Sequence, residues 1–121
     1  MDNLLKQYGT MTWEEVSAPA IRLAREGFPC GFVLASATQT DIAEHNRDAY
    51  EGFDQYYLNN GKPRGFGEII KMIDLADTME QVAKNGVDWF YNGPVADDIV
   101  AVVQKHQGVL AKEDLVHCKP K

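Results

Sequence analysis

The sequence has few of the features that mark a metalloprotein, a disulfide-rich protein or a membrane protein. Only two of its 121 residues are cysteines, Cys30 and Cys118. They fit neither a zinc-ligand spacing nor a disulfide framework, so we predict two free thiols. No apolar run approaches the roughly 18 residues that a membrane-spanning helix needs. The first residues do not combine a basic segment with a long apolar core, so we also predict no secretory signal in this chain.

Basic residues are scarce relative to acidic ones. The chain has 12 lysines and arginines against 18 aspartates and glutamates, which gives a net charge of −6 at pH 7. An acidic surface repels phosphate backbones and argues against nucleic acid as a partner. Hydrophobic residues make up 45% and charged residues 25%, as in ordinary globular proteins. The length suits one domain with its own core, and we see no internal repeat or low-complexity tract, so we predict a single domain over residues 1–121.

Helix signals are frequent in the first half of the chain. Thr12 and Glu15 have the spacing of a capping box, in which each side chain accepts a hydrogen bond from the other residue's backbone N–H. Pro19 lacks an N–H and predicts a kink or a fresh helix start near residues 17–18. Gly27 is expected to end this helix in a left-handed conformation. The following segment, residues 32–34, fits a short strand or the first turn of a helix, and we favour a helix that continues to about Asn46.

The second half contains turn signals and two further helices. The sequence Asn59-Asn60-Gly61-Lys62-Pro63 predicts a turn, and residues 68–72 could form one helical turn. Asp74 is expected to cap the next helix, which ends at Asn85-Gly86. Pro94 is expected at the first position of the last long helix.

We expect Gly108 to end that helix. A brief strand at Val109-Leu110 and a final turn at residues 112–115 complete the interpretation. The predicted fold class is therefore mainly α: a compact helical domain with short irregular connections and at most a brief strand.

No pattern in the sequence identifies a catalytic or ligand-binding group. None of the three histidines, His45, His106 and His117, has the spacing of a zinc protease motif. Cys30 has apolar neighbours that favour the unreactive thiol, and no base is placed beside it. The segment Gly61–Gly67 lacks the lysine-serine ending of a phosphate-binding loop, and a turn explains it better.

The remaining candidates also have a simpler structural explanation. The adjacent carboxylates Asp97-Asp98 and Glu113-Asp114 diverge around a helix and suit capping and solvation. The segment Trp89-Phe90-Tyr91 could stack on a ligand, but packing in a core or an interface is the more common use of such side chains. We predict that it fills the space between the two helices on either side of it. We therefore assign no catalytic, cofactor-binding or metal-binding residue to this chain.

Several runs nevertheless resemble a known family. The runs Tyr8–Met11 and Ala18–Phe28 closely resemble the middle of the large subunit of the gamma-glutamyltransferase (gamma-glutamyltranspeptidase) family. The resemblance continues in the same order through the following runs: Asp74–Thr78, Phe90–Gly93, Ala96, Ile99-Val100, Gly108–Leu110 and Glu113–Leu115. Related acylases and amidohydrolases share this ordered set. The family usually has Pro where Ile73 stands and Gly where Gln107 stands, and residues 36–65 match only loosely.

The resemblance implies an N-terminal nucleophile hydrolase that cleaves its own precursor and then attacks gamma-glutamyl amides with the freed threonine. It also implies that this threonine lies beyond Lys121, and that the arginine that binds the substrate carboxylate lies before Met1. This chain would correspond to the helical layer that covers the catalytic αββα sandwich. The expected partner is then the remainder of the enzyme, and the isolated chain is expected to expose an apolar face and to self-associate. Members of the family are often periplasmic or extracellular, but the sequence itself leaves the compartment open.

Two other interpretations remain open at the level of the sequence. The chain could be a stand-alone helical binding module without catalysis. It could also be a small complete enzyme that uses Cys30 or a histidine. The favoured hypothesis is a structural segment of a gamma-glutamyltransferase-like enzyme that has no activity alone.

Overall fold

The protein is mainly α-helical, as the sequence predicts. The computed structural model describes residues 2–44 and 52–118. The helices are α1 Asp2–Tyr8, α2 Trp13–Glu26, α3 Phe32–Glu44, α4 Phe53–Tyr57, α5 Ile73–Asn85, α6 Val87–Asn92, α7 Pro94–Lys105 and α8 Lys112–Val116. The strands are two residues long: β1 Phe28–Pro29, β2 Leu58–Asn59, β3 Lys62–Pro63 and β4 Ile69–Ile70.

The chain forms two compact units. The first unit consists of Met1–Ile21 together with Asp77–Lys121, and the second consists of Arg22–Ala76. The two boundaries fall inside α2 and α5. The single domain that we expect over residues 1–121 stays a prediction.

Helix α2 begins at the predicted capping box. The backbone N–H of Thr12 donates to Glu15 Oε2 over 2.7 Å, and the N–H of Glu15 donates to Thr12 Oγ1 over 3.2 Å. The hydrogen bonds that the Glu15 carboxylate accepts from the backbone and from the side chain of Thr12 hold the pKa of Glu15 below its usual range, because they favour the ionised form. Of the two alternatives predicted near Pro19, the fresh helix start is wrong, because α2 is continuous through this residue, and the kink stays a prediction. Helix α2 ends at Gly27, which has the expected positive φ of 102°.

A two-stranded antiparallel ladder organises the second unit. Strand β1 pairs with β4, with Phe28 opposite Ile70 and Pro29 opposite Ile69. The prediction of a helical turn at residues 68–72 is therefore wrong. The two adjacent isoleucines are β-branched and favour an extended backbone, and β1 supplies the pairing partner. Ile70 is fully buried in a core cluster with Cys30 and Ala35.

The predicted turn at residues 59–63 is the tip of a β-hairpin. Strands β2 and β3 pair with Asn59 opposite Lys62. Asn60 and Gly61 have φ values of 51° and 76°. Positive φ at both central residues matches the twist of a two-residue hairpin, and Asn-Gly is the pair that adopts it with least strain.

Helix α3 confirms the helical interpretation of residues 32–34 and extends to Glu44. The remainder of the predicted helix, to Asn46, lies outside the described residues. Helix α5 begins at Ile73, one residue before the predicted cap, so Asp74 lies in the first turn and is not the N-cap. The N–H of Ala76 donates to the carbonyl of Met72 over 3.0 Å, which fixes this start. Asp74 instead accepts a hydrogen bond from a tyrosine, described below.

Helices α6, α7 and α8 pack against one another in the first unit. Pro94 occupies the first turn of α7, as predicted, and Ala96 is fully buried. The end of α7 differs in detail from the prediction, because Gln107 takes the left-handed conformation with φ 63° and Gly108 follows it. The N–H groups of these two residues donate to the carbonyls of Gln104 and Val103 over 2.9 and 2.8 Å. This is the bonding pattern of a Schellman motif.

The segment after α7 is irregular. Val109-Leu110 does not form the predicted strand, because no strand pairs with it in the part of the chain that the structure describes. Helix α8 confirms the predicted final turn, and the N–H of Ala111 donates to Asp114 Oδ2 over 2.9 Å at its start. Within residues 2–44 and 52–118, no helix has the length and apolar character to cross a lipid bilayer.

The buried core of the described residues is thin. Its hydrophobic members are mostly small: Ala24, Cys30, Ala35, Leu58, Ile70, Ala76 and Ala96. Many larger apolar side chains remain exposed, among them Tyr8, Phe32, Val33, Phe66 and Val109. Packing of large side chains ordinarily supplies most of the stability of a domain of this length.

Candidate functional site

Cys30, the candidate nucleophile of the sequence, is a buried core residue. Its side chain is 2% exposed and packs with Ala35 and Ile70. Its Sγ lies 3.7 Å from the carbonyl oxygen of Gly31 and 3.9 Å from that of Arg64. A thiol that is enclosed in this way has no access to substrate. Both cysteines are free, as predicted.

The two histidines among the described residues do not form a site. His106 caps the end of α7, and His117 Nδ1 lies 2.7 Å from the carbonyl oxygen of Glu113. His45 lies outside the described residues. No cluster of three potential metal-binding side chains occurs among residues 2–44 and 52–118.

The glycine-containing segment Gly61–Gly67 forms the hairpin tip and the chain that follows it. Its arginine is used for structure: Arg64 Nε donates to the carbonyl of Tyr56 over 3.0 Å, and Nη1 donates to that of Ile69 over 3.3 Å. The backbone N–H of Gly65 donates to Glu68 Oε2 over 2.7 Å. A negative carboxylate held at this amide opposes the binding of phosphate, in agreement with the prediction of a turn.

The paired carboxylates have separate structural roles. Asp97 Oδ1 forms an exposed salt bridge with Lys112 Nζ at 2.6 Å. Asp114 caps α8 through the bond to Ala111 described above. Exposed ion pairs of this kind contribute little to stability.

A cleft of about 450 Å³ lies in the first unit. It is lined by residues of α1, α6 and α8, by the first residue of α2 and by Cys118: Asp2, Asn3, Trp13, Val87, Asp88, Tyr91, Asn92, Leu115, Val116 and Cys118. The lining therefore combines two carboxylates and two amides with aromatic and aliphatic side chains. The sequence analysis missed this cleft, because its members are spread over the length of the chain and follow no motif.

One carboxylate of the cleft, Asp2, is paired within the protein. Asp2 Oδ1 accepts a hydrogen bond from Trp13 Nε1 over 3.0 Å, and Asp2 Oδ2 forms a salt bridge with Lys6 Nζ at 2.8 Å. The hydrogen bonds from Lys6 and Trp13 hold the pKa of Asp2 below its usual range. The bond to Asp2, assisted by the charges of Asp2 and Asp88, raises the pKa of Lys6. These contacts fix the start of α1 against the start of α2.

A second polar contact joins α4 to α5 in the other unit. Tyr56 Oη donates to Asp74 Oδ2 over 2.6 Å, and Gln55 Nε2 donates to the same oxygen over 3.3 Å. The bond to the carboxylate raises the pKa of Tyr56, because ionisation would place two negative charges side by side. The arrangement stabilises the neutral phenol and anchors α4, and it does not prepare the tyrosine to act as a base.

The aromatic segment predicted to pack forms α6. Trp89 and Phe90 are half-buried where α6 packs on α7 and α8, and the rings of Phe90 and Tyr91 meet edge to face at 5.2 Å. Tyr91 borders the cleft. The described residues contain no group of side chains that brings a nucleophile, a base and an oxyanion site together. That this chain has no catalytic residue stays a prediction.

The mainly helical fold agrees with the family resemblance noted in the sequence. The family model of gamma-glutamyltranspeptidase matches residues 1–121, and the chain belongs to this family. It is 36% identical over 115 residues to the glutathione hydrolase proenzyme of Escherichia coli, an alignment that covers 95% of this chain and 20% of that protein. It thus spans about a fifth of the length of this relative.

Solved structures of the family contain the same fold. The crystal structure of Helicobacter pylori gamma-glutamyltranspeptidase matches with a TM-score of 0.87 and 28% identity over 98% of this chain and 34% of that chain. A cephalosporin acylase from Bacillus halodurans matches with a TM-score of 0.86 and 33% identity over 98% of this chain and 23% of that chain. The resemblance seen in the sequence and the mainly α fold are therefore both confirmed.

Proposed function

We propose that this chain is a helical segment of a gamma-glutamyltransferase-like enzyme and that its role in that enzyme is structural. It packs against the catalytic αββα sandwich and forms one wall of the substrate cleft. The threonine nucleophile and the arginine that binds the substrate carboxylate belong to other parts of the enzyme. The relatives are named glutathione hydrolases and the family is named for gamma-glutamyl transfer, so we infer that the whole enzyme hydrolyses glutathione or transfers its gamma-glutamyl group.

The main support for this proposal is that the family match covers all of this chain, whereas this chain covers only a small part of its relative. The family matches the chain from end to end, yet the chain accounts for only 20% of the E. coli relative. The thin core of small side chains supports the same conclusion, because large apolar side chains left in water are what a segment exposes when its neighbours are absent. Each described candidate for catalysis is buried in the core, lies at the end of a helix, or forms a hydrogen bond or ion pair within the chain.

A chimeric enzyme tests the proposal. The segment of the E. coli glutathione hydrolase proenzyme that aligns with this chain is replaced by residues 1–121, and autocleavage and turnover of a gamma-glutamyl anilide are measured. We expect the chimera to cleave itself and to turn over the substrate, and we expect no turnover by this chain alone. Replacement by an unrelated helical segment of equal length is the control and should abolish both steps.

Two results would contradict the proposal. Turnover by this chain alone would mean that it contains its own nucleophile. A soluble, folded chimera that neither cleaves itself nor turns over substrate would mean that the segment does not fit the catalytic sandwich. Sequencing the gene on both sides of residues 1–121 provides a direct check on whether the remaining parts of the enzyme are encoded with it.

The exposed apolar surface also has a consequence for the chain in isolation. We include in the proposal that the isolated chain self-associates, because apolar side chains in water gain about 25 cal/mol for each Å² that they bury.

A further inference from the structure

Helix α3 carries no charged side chain along most of its length. The longest stretch of the sequence without a charged residue runs from Gly27 to Thr40 and includes the first nine residues of α3. Charged residues make up 25% of the whole chain, so their absence here is unusual. Apolar side chains also lie around the whole circumference of the helix instead of forming one stripe. A helix of this kind is typical of a protein interior, where it is covered on every side.

The second unit covers one side of α3. Ala35 belongs to the core cluster with Cys30 and Ile70, Leu34 packs against that cluster, and Thr38 is buried as well. At 3.6 residues per turn, positions 34, 35 and 38 fall within one sector of about 100° of the helix. This sector is the inner side of α3.

The opposite side of α3 is exposed. Five residues have the spacing i, i+1, i+4, i+5 and i+8, which places them on one continuous strip of a helix surface. We call them the outer face of α3: Phe32, Val33, Ser36, Ala37 and Thr40. All five are exposed, and Phe32 and Val33 are 73% and 80% exposed. Because they belong to a single helix, their contiguity follows from its geometry.

The threonine hydroxyls of α3 form their hydrogen bonds within the helix. Thr40 Oγ1 donates to the carbonyl of Ser36 over 3.1 Å, and Thr38 Oγ1 donates to the carbonyl of Leu34 over 2.8 Å. A hydroxyl that is bonded to the carbonyl four residues earlier needs no water as a partner. An apolar surface can therefore cover the outer face and leave the Thr40 hydroxyl paired.

Helix α7 shows how an exposed helix surface of this chain differs. Asp97, Asp98 and Lys105 lie three or four positions from the exposed Ala101, so charged side chains surround it. On α3, the corresponding neighbours of the exposed Ala37 that belong to the outer face are Val33, Ser36 and Thr40. Charged side chains suit contact with water, and their absence from the outer face of α3 indicates contact with protein.

We propose that the outer face of α3 is a contact surface for the remainder of the parent enzyme, and that the segment covering it is apolar and uncharged. The chain accounts for 20% of its E. coli relative and 34% of the H. pylori chain, so most of such an enzyme lies outside residues 1–121. This inference rests on the proposed function and adds the surface and its chemistry.

A second copy of this chain is a poorer occupant of the same face. The outer face exposes roughly 400 Å², so a symmetric pair would bury about 800 Å², less than the roughly 1,000 Å² that a specific interface between separate proteins needs. Two copies that each carry a net charge of −6 also repel one another. The remainder of the enzyme is held beside the segment by the rest of the fold, so a smaller contact suffices there.

A charge substitution of nearly equal volume tests the proposal in the chimeric enzyme. Val33→Asp places a carboxylate in the first turn of α3, where negative charge suits the helix end, so the urea midpoint of the isolated chain should not fall. In the chimera the same carboxylate is buried without a partner and should lower the yield of autocleaved enzyme at least about tenfold. Val33→Thr has a similar shape without the charge and should lose far less.

A matched pair of lysine substitutions separates the outer face from an ordinary exposed helix surface. Ala37→Lys introduces a charge into the outer face, and Ala101→Lys makes the same change on the charged surface of α7. Both positions are exposed inside a helix, so neither change should shift the urea midpoint of the isolated chain at low protein concentration. In the chimera, Ala37→Lys should lower the yield of autocleaved enzyme about tenfold, and Ala101→Lys should leave it unchanged.

The possible outcomes separate this inference from the proposed function. A wild-type chimera that fails to cleave itself would overturn both. A working wild-type chimera whose Val33→Asp and Ala37→Lys variants work equally well would overturn this inference alone. If those variants spare the chimera but abolish self-association of the isolated chain in analytical ultracentrifugation, a second copy covers the face and the inference is wrong. Equal losses of stability in the isolated chain would also overturn it, because the damage would then lie within α3 itself.

Discussion

Gln107 shows how a single residue can depart from its local preference. It has a φ of 63° at the end of α7, a conformation that places the Cβ of an L-residue too close to the following carbonyl oxygen. Members of the family that this chain resembles usually have glycine here, which adopts this conformation without strain. We predicted the end of the helix from Gly108, but the residue that actually makes the left-handed turn carries a side chain. A polar residue gives no sequence signal for such strain.

We predict that Gln107→Gly stabilises the protein. Relief of the left-handed strain should raise the free energy of unfolding by about 1 kcal/mol. Urea unfolding at low protein concentration measures the change. Ala101→Gly, on the exposed face of α7, is the control and should lower the free energy of unfolding by about 1 kcal/mol. Equal losses for both variants would show that Gln107 is unstrained.

Gly27 is the opposite case, because its conformation was predictable and its packing was not. Its φ is 102°. A Cβ at this position would overlap Ile69 Cγ2 and would lie 3.0 Å from the backbone oxygen of Ile70. We predict that Gly27→Ala lowers the free energy of unfolding by at least about 2 kcal/mol, since it adds strain and separates β1 from β4. Gly31→Ala, which enters open space, should change it by less than about 0.5 kcal/mol. Thermal unfolding of both variants makes the comparison, and similar losses would contradict it.

Among the helices and strands, the features that the sequence predicts correctly depend on residues that are close together in the chain. The capping box before α2, the Asn-Gly hairpin tip and Pro94 at the start of α7 each depend on residues within four positions of one another. The ladder between β1 and β4 was missed because its strands lie 40 positions apart, and no local pattern specifies which strand an isolated Ile-Ile pair will find. The Asp74 cap was misassigned for a related reason, since its carboxylate bonds to Tyr56 in another helix.

The capping box of α2 should make stability depend on pH in a defined direction. The pKa of Glu15 is lower in the folded protein than its ordinary value of 4.5, so folding releases a proton from this carboxyl. Its contribution is complete above pH 4.5 and is lost as the pH falls through the lowered folded pKa. Glu15→Gln keeps an oxygen that can accept from the N–H of Thr12 but does not titrate.

We therefore predict that the stability difference between wild type and Glu15→Gln is largest at pH 7 and disappears toward pH 2. Thermal unfolding of both proteins across this range measures the difference. Thr12→Ala removes the other half of the box and should lower the free energy of unfolding by about 1 kcal/mol at pH 7. A difference between wild type and Glu15→Gln that stays constant down to pH 2 would mean that the carboxylate does not cap the helix.

The whole molecule raises the question of how its two compact units are coupled. Each boundary between the units falls inside a helix, α2 or α5, so the loss of either unit would leave half of each helix without its packing partners. Short isolated helices are only marginally stable in water, so the exposed halves of α2 and α5 would unfold together with the lost unit. The cleft also belongs to this scale, because it is formed by residues near both ends of the chain and becomes visible only when α1, α6 and α8 are assembled.

We predict that both units unfold together, as the single domain expected from the sequence would. Trp13 and Trp89 lie in the first unit and are the two tryptophans of the chain, so tryptophan fluorescence reports on that unit, whereas far-ultraviolet circular dichroism reports on all helices. Coincident urea transitions by the two probes are expected. Gly27→Ala, which perturbs the second unit alone, should shift the fluorescence transition as far as the dichroism transition. A fluorescence midpoint that does not move in this variant would mean that the helices shared by the units do not transmit the loss, and that each unit folds by itself.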